Sequence, residues 1–380
     1  MTTQSPLIWG TCCFATGIAA GFAFPAYPYL PIAVAMLVAA RLLWRWRIVC
    51  HALLLLAWMG LGATRANLSV SQIETWTENI NEQASALNES LVQRLQDAGL
   101  SCQATALSAS ITLGNRKNLT RQTRELFSRT GSSHLLALSG MHLGVLYGML
   151  HLLLFRHIPL QKRRRILPFI ALPLIWGYTF LAGLPPSLVR ASVMLSCCIV
   201  LFRVPDDSLT LHRLALCVFL MLVLSPSYIF QLSFWLSLAA VFFILSFYLP
   251  IQKRWGLGGI GGMLLLSMVA QIGTMPLSIY YFHTLPLLGA FWSVVLIPLT
   301  SAMMCATLAT LAIPCAITSW ILNNLTDLYL YLIKGMSIVP HCVLEDLYPS
   351  ILQVVLLYAL LLCITLRLHA QLKQEESQKF

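Results

Sequence analysis

The sequence predicts an all-α, polytopic integral membrane helix bundle of about twelve spans, and three observations predict it. Of the 380 residues, 58% are hydrophobic and only 10% are charged, with a mean hydropathy of +0.78. Apolar runs of roughly 17 to 25 residues recur along the whole length, which is what about 30 Å of hydrocarbon requires at 1.5 Å per helical residue. The basic residues are confined to alternate connections between those runs, as the retention of Lys and Arg on the cytoplasmic side demands. No stretch is left over for a soluble core of domain size.

The first run, 7–24, lacks a basic leader and a small-residue cleavage site, so it reads as a retained span and not a signal peptide. Runs at 28–44 and 48–64 complete an N-terminal three-span segment, residues 1–64. After a hydrophilic stretch, 65–133, spans follow at about 134–155, 166–183, 187–202, 211–225, 229–249, 259–282, 286–313, 318–338 and 350–368. Residues 134–368 form one membrane region and 369–380 a tail. Pro298 predicts a kink or break in the long 286–313 run. The Gly256–Gly262 cluster reads as a re-entry into the membrane, with tight helix packing as a sufficient reason for its small residues.

Arg41, Arg45 and Arg47, then Arg156 with Lys162, Arg163, Arg164 and Arg165, then Lys253 and Arg254, then Arg367 and Lys373, mark the inner connections. The short loops at Pro25, Pro185 and Pro186, Pro226 and Thr284 carry no Lys or Arg, and the loop at Glu345 and Asp346 is acidic. Both termini are therefore expected in the cytoplasm. A nucleic-acid contact by the Lys162–Arg165 run is outweighed by this topological reading.

Residues 65–133 should lie outside. Ile73, Trp76, Ile80, Ala84, Leu87, Leu91 and Leu95 recur three or four apart, with Glu74, Glu78, Glu82 and Glu89 off the stripe, which predicts an amphipathic helix for the membrane surface or a partner. Downstream, Lys117, Arg121 and Arg124 fall four and then three apart and share one helical face, a basic collar suited to phosphates or to headgroups and solvent. Most of the eleven cysteines sit in apolar runs without metal-ligand or disulfide spacing; a Cys102–Cys342 bridge stays open.

Polar residues inside spans are costly, so their alignment carries information. Ser267, Gln271, Thr274 and Ser278 fall on one face beside Pro276; Asn324, Asp327, Tyr331 and Lys334 fall on one face of the 318–338 run. The first stripe fits an aqueous passage or interhelical hydrogen bonds equally. Asp327 and Lys334 each cost about 2.5 to 3.5 kcal/mol at a helix centre and need a wet path or a surface helix. Arg190, one turn below a Pro-Pro hairpin, either snorkels to the interface or makes a bidentate phosphate contact. His134, His142 and His151 are spaced eight and nine apart, which does not stack them for a metal, and Ser139 with His142 lacks the motif context of a hydrolase. The Ser139-Gly140 step inside an apolar run is the feature most in need of a functional reason.

These residues resemble a family. His134-Leu-Leu-Ala-Leu-Ser139-Gly140-Met-His142-Leu-Gly144, led in by Leu113-Gly114-Asn115-Arg116 and Phe127-Ser-Arg-Thr130-Gly131, is similar to the signature of the ComEC competence proteins. Gly183-Leu-Pro-Pro-Ser187-Leu-Val-Arg190-Ala191, Ser233-Phe-Trp-Leu-Ser237-Leu-Ala-Ala, Gln271-Ile-Gly-Thr274-Met-Pro276 and Ile297-Pro298-Leu follow in the family's order, over roughly residues 105–365. The resemblance implies an inner-membrane channel for single-stranded DNA in natural transformation. His134, Ser139, His142 and Arg190 would shape its outer entrance, and Lys117, Arg121 and Arg124 its approach. Ser237, Gln271, Thr274, Asp327 and Lys334 are the candidates for the path.

Asn115 stands where the family usually has Asp, which removes a charge near the entrance. Residues 65–133 are too short and too helical for the family's OB-like domain, and no metallo-β-lactamase-like ligand set occurs in the sequence. The expectation is a channel without cofactor, metal or catalysis of its own, served by a cytoplasmic DNA-translocating motor and a separate nuclease; assembly as a homo-oligomer stays open. The alternative is a small-solute or lipid transporter, or a non-conducting scaffold of the uptake machinery.

Overall fold

The computed structural model describes residues 6–24, 27–42, 47–67, 71–152, 160–201, 210–340 and 342–378. Pro25, Arg45 and Arg156 of the topological argument lie outside them, as do the side chains of Arg47, Ile73, Glu74, Trp76, Glu78, Arg163, Arg164, Arg165, Lys253 and Lys373. The chain divides into two compact units, Met1–Glu82 with Leu154–Trp176 and Val189–Trp235, and Gln83–Leu153 with Gly177–Leu188 and Leu236–Phe380.

The helices run in the order α1 (Pro6–Ala23), α2 (Tyr29–Leu42), α3 (Arg47–Asn67), α4 (Ser71–Asp97), α5 (Cys102–Leu113), α6 (Arg121–Arg129), α7 (Ser133–Leu136), α8 (Gly140–Leu150) and α9 (Leu160–Leu181). They continue with α10 (Pro186–Leu201), α11 (Thr210–Leu224), α12 (Leu232–Phe243), α13 (Leu249–Trp255), α14 (Gly259–Phe282), α15 (Gly289–Ala312), α16 (Ala316–Ser337) and α17 (Ile351–Gln378). Two-residue strands β1 (Leu285–Pro286) and β2 (Val343–Leu344) pair antiparallel. Among the described residues four helical stretches are long and apolar enough to cross a membrane: 49–66, 232–252, 259–282 and 289–312. Seven shorter apolar helices accompany them. This is an all-α membrane bundle. The predicted 318–338 span, α16, is in neither set, because its polar stripe lowers its hydropathy.

In the first unit α1 and α3 approach through small residues. A Cβ on Gly17 would stand 1.9 Å from Met59 O and one on Gly62 2.2 Å from Phe14 O, so only glycine permits this distance. Phe219 of α11 meets Phe14 and Trp58 edge-on, both at 5.0 Å between ring centroids. Arg65 donates from Nε to Val223 O at 2.8 Å and from Nη2 to Leu224 O at 3.1 Å, satisfying carbonyls that the end of α11 leaves without helical partners.

The second unit is organised on α5. Ser101 caps it by accepting from Ala104 N–H at 3.1 Å, Gly114 ends it at φ +70°, and every residue from Ala104 to Leu113 is buried. Leu107 and Ile111 belong to a core with Phe127, Leu296, Met303, Tyr329 and Ile333, drawn from α6, α15 and α16. Ala109 and Leu113 meet Val92 and Leu95 of α4. The stripe of α4 thus has a partner inside the unit. Its buried residues are Ala84, Asn88, Val92 and Leu95, while Ile80 is exposed.

Residues 65–133 are therefore not one hydrophilic surface segment. Their centre is an interior helix, hidden in the sequence because a 12-residue, Ser/Thr-rich run is too short to span and too polar to look like core. The Gly256–Gly262 cluster has a different cause from the tight packing expected. Gly256 and Gly259 take positive φ, +61° and +55°, at the turn between α13 and α14, and a Cβ at Gly256, Gly258 or Gly259 would meet nothing within 4 Å. Pro298 lies inside α15, which is assigned as one helix. Cys102 and Cys342 are free thiols.

Candidate functional site

In the second unit the Leu113–Arg116 signature step and the end of α9 meet on one side chain, Asn88 of α4, which is 6% exposed. Its Nδ2 donates to Leu113 O at 2.8 Å and to Leu181 O at 3.0 Å, and its Oδ1 accepts from Asn115 Nδ2 at 3.0 Å. The ends of α5 and α9 and the Gly-Asn-Arg step are thereby tied to one amide. Tyr178 OH adds a bond to Thr112 O at 2.8 Å, Arg116 Nε reaches Leu136 O at 3.1 Å, and Ser187 Oγ reaches Leu138 O at 2.7 Å. Gly114 is required twice over, by its positive φ and because a Cβ would stand 2.7 Å from Leu138 Cδ1. None of these ties was legible as function. Asn88 left one signal, an amide placed four residues from both Ala84 and Val92 in an otherwise apolar stripe.

The Ser139-Gly140 step is a true break. After α7 the chain passes through Ala137 at φ −88° and ψ 125°, and Ser139 takes φ −143° and ψ 177° before α8 begins at Gly140. The polar residues thus belong to a helix start, not to the middle of a span. His142 is fully buried, and its Nδ1 accepts from the Ser139 backbone N–H at 3.2 Å, the reach-back of an N3 residue to an N-cap. Ser139 Oγ lies 3.4 Å from the same nitrogen. With Nδ1 as acceptor the neutral ring carries its proton on Nε2, which is buried without a protein partner. His134 is exposed, with Nδ1 3.3 Å from Gly131 O.

The basic collar is not one helical face. α6 holds Arg121 and Arg124, whereas Lys117 lies in the preceding turn, because Thr120 caps α6 and starts it there. Among the described residues two ion pairs occur, and both involve this rim: Lys117 with Glu89 at 2.5 Å and Arg121 with Glu125 at 2.9 Å. The Lys117 ammonium holds the Glu89 carboxyl below the usual carboxylate range, first by its hydrogen bond and then by its charge. Arg124 Nη2 donates to Arg116 O at 2.6 Å.

The membrane stripes are also used by the protein. Gln271 Nε2 donates to Pro286 O, tying α14 to β1, and Thr274 Oγ1 donates to Ala270 O at 2.9 Å in its own helix. Ser237 is half-buried in α12. Asp327 and Lys334 are both exposed, on the face of α16 opposite buried Leu322, Thr326, Tyr329 and Ile333, so neither charge is buried in the packed core. The second stripe marks the outward side of the helix.

Arg190 belongs to the first unit and does not snorkel. It is 1% exposed, donates from Nη2 to Ser233 O at 3.1 Å, and has its guanidinium carbon 6.0 Å from the centroid of the Tyr228 ring. Nε and Nη1 are buried without hydrogen-bond partners. A protonated guanidinium with two unmet buried donors is a costly group, and an oxyanion is the chemistry that would meet such donors.

Apolar helices of spanning length, with polar side chains held on interior backbone, define an integral membrane protein of the polytopic class. Its family follows from comparison: the Competence protein family matches residues 111–371, and the chain belongs to it, the ComEC competence family. It is 27% identical over 239 residues to ComE operon protein 3 of Bacillus subtilis (strain 168), covering 61% of this chain and 29% of that protein. It is 30% identical over 198 residues to an uncharacterized protein of Aquifex aeolicus (strain VF5), covering 50% of this chain and 43% of that one. The chain thus spans less than half the length of these curated relatives. No solved structure matches.

Proposed function

We propose that this protein is the inner-membrane passage for single-stranded DNA in natural transformation, with both termini in the cytoplasm. The strand would be drawn through by a cytoplasmic motor, and any strand degradation would be done by a separate nuclease. The observation that carries the reading is Arg190, a buried permanent cation with two unmatched donors inside a family motif. A strand brings one phosphate per nucleotide, and a guanidinium can donate to two of its oxygens. The chain itself conducts and does not cleave; in this reading His142 holds the start of α8 and is not a base.

Uptake of labelled DNA in a deletion strain, complemented with wild type, Arg190→Lys or Arg190→Ala, tests this. Uptake should fail in the deletion and with Arg190→Ala, and recover only partly with Arg190→Lys, which keeps the charge and loses the fork. Normal uptake by the deletion strain refutes the passage. Normal uptake with Arg190→Ala refutes the role of that residue alone.

A second reading, a non-conducting scaffold of the uptake machinery, is favoured by the bonds that occupy Gln271 and Thr274. Planar-bilayer recordings of the purified protein separate the two: oligonucleotide-dependent current blockades belong to the passage and not to the scaffold.

A further inference from the structure

A polar cleft of about 230 Å³ lies between α4 and the 114–118 turn, lined by Glu89, Val92, Gln93, Gln96, Asn115, Lys117 and Asn118. Its construction is specific. Glu89, Gln93 and Gln96 are four and three residues apart on one face of α4, and buried Val92 lies beside them. Asn115 is fixed, its Nδ2 on Asn88 and its Oδ1 accepting from Lys117 N–H at 3.2 Å. Gln93, Gln96 and Asn118 instead present exposed amides, and an amide offers a donor pair and an acceptor together, the pattern carried by the edges of nucleobases.

The surroundings select an anionic ligand. Residues 114–129 contain five basic residues, Arg116, Lys117, Arg121, Arg124 and Arg129, against Glu125 within the segment and Glu89 across the cleft. Lys117 is held at rest by Glu89, and both side chains are exposed, so the pair can be exchanged for a phosphate at little cost.

We propose that this cleft holds one nucleotide of single-stranded DNA, with Gln93, Gln96 and Asn118 on the base edge and Lys117 transferred from Glu89 to the phosphate. The inference rests on the DNA reading above and adds a docking point on the extramembrane side of the second unit. Such a site is tolerant of sequence, since freely rotating amides can meet any base edge.

The test uses the full chain in detergent micelles and a fluorescein-labelled twelve-residue oligothymidylate, read by anisotropy. Gln93→Ala with Gln96→Ala should weaken binding by about tenfold to thirtyfold, the loss of two hydrogen bonds. Glu89→Gln, which releases Lys117, should tighten it by about twofold to fivefold. That gain is a result no misfolded variant can give. Binding by wild type that neither substitution alters refutes the cleft and leaves the passage standing. Displacement of the oligonucleotide by a neutral oligosaccharide, with no effect of Glu89→Gln, refutes it in favour of a glycan site. Absence of wild-type binding also refutes the cleft, and the deletion-strain uptake assay then decides the passage independently.

Discussion

Replacing Asn88 by alanine should loosen the junction between α4, the end of α5 and the end of α9. The side chain makes three hydrogen bonds at 2.8 to 3.0 Å and is 6% exposed. Each such bond contributes about 0.5 to 1.5 kcal/mol net, and carbonyls left buried and unmet add their own desolvation cost. About 3 kcal/mol follows for Asn88→Ala, which is a factor of about 100 in a local opening equilibrium. Hydrogen–deuterium exchange of the full chain in micelles reads that factor directly. The amides of residues 112–116 and 182–184 should lose about 100-fold protection, while those of α1 and α3 keep theirs. Asn118→Ala, at an exposed amide, should change nothing. Unchanged protection at 112–116 in Asn88→Ala would show that the three bonds do not hold the junction, and the account of the signature as a structural knot would fail.

Gly114→Ala should cost about 2 to 4 kcal/mol, from the αL backbone and the 2.7 Å approach to Leu138; Leu138→Ala should recover only the steric part, read by the same exchange measurement. Gly17→Ala places a methyl 1.9 Å from Met59 O, so α1 and α3 must part, and the folded yield in micelles should collapse; Gly144→Ala, with nothing within 4 Å, should express as wild type. Glu89 titrates below the ordinary carboxylate value because of Lys117, so the pair supports the fold at neutral pH and loses that support as pH falls through the depressed value. An NMR titration of ¹³C-labelled glutamate should place the Glu89 midpoint lower in wild type than in Lys117→Gln; equal midpoints would contradict the ion pair.

The long elements were legible because a continuous apolar run has one structural solution in a bilayer: the span expected at 259–282 is α14 with the same bounds. Alignment within a helix was legible too, yet alignment does not say which face turns inward. In α16 the set Leu322, Thr326, Tyr329 and Ile333 repeats as regularly as Asn324, Asp327, Tyr331 and Lys334, and only long-range contacts with Phe127 and Met303 choose the first as the interior. α5 was hidden for the same reason. Its burial comes from α4, α15 and α16, far away in sequence, and nothing in Cys102–Leu113 announces them. Local chemistry did show through at Ser139, where a polar step in an apolar run marked a helix start, although the sequence alone suggested a mid-span cavity.

Two kinds of cation among the described residues bear on how a polyanion would be held. Lys117 and Arg121 are exposed and already face Glu89 and Glu125, so a phosphate arriving there exchanges one anion for another. The net gain is small and is screened by salt. Arg190 is different: the guanidinium is buried, a carbonyl and an aromatic face meet part of it, and Nε and Nη1 meet nothing. A phosphate reaching it would gain bonds that replace no others, while relieving a desolvated charge. The charge contribution per cation should therefore be largest at Arg190 and small at the rim, where the amides of the α4 cleft and not the ion pairs supply the hold. The salt dependence of oligonucleotide binding, about 0.7 logarithmic units per phosphate neutralised on a single strand, measures this. Arg121→Gln should leave the slope nearly unchanged, because its charge is already matched by Glu125, whereas Arg190→Gln should reduce it by about 0.7; the reverse order would refute the anion contact at Arg190.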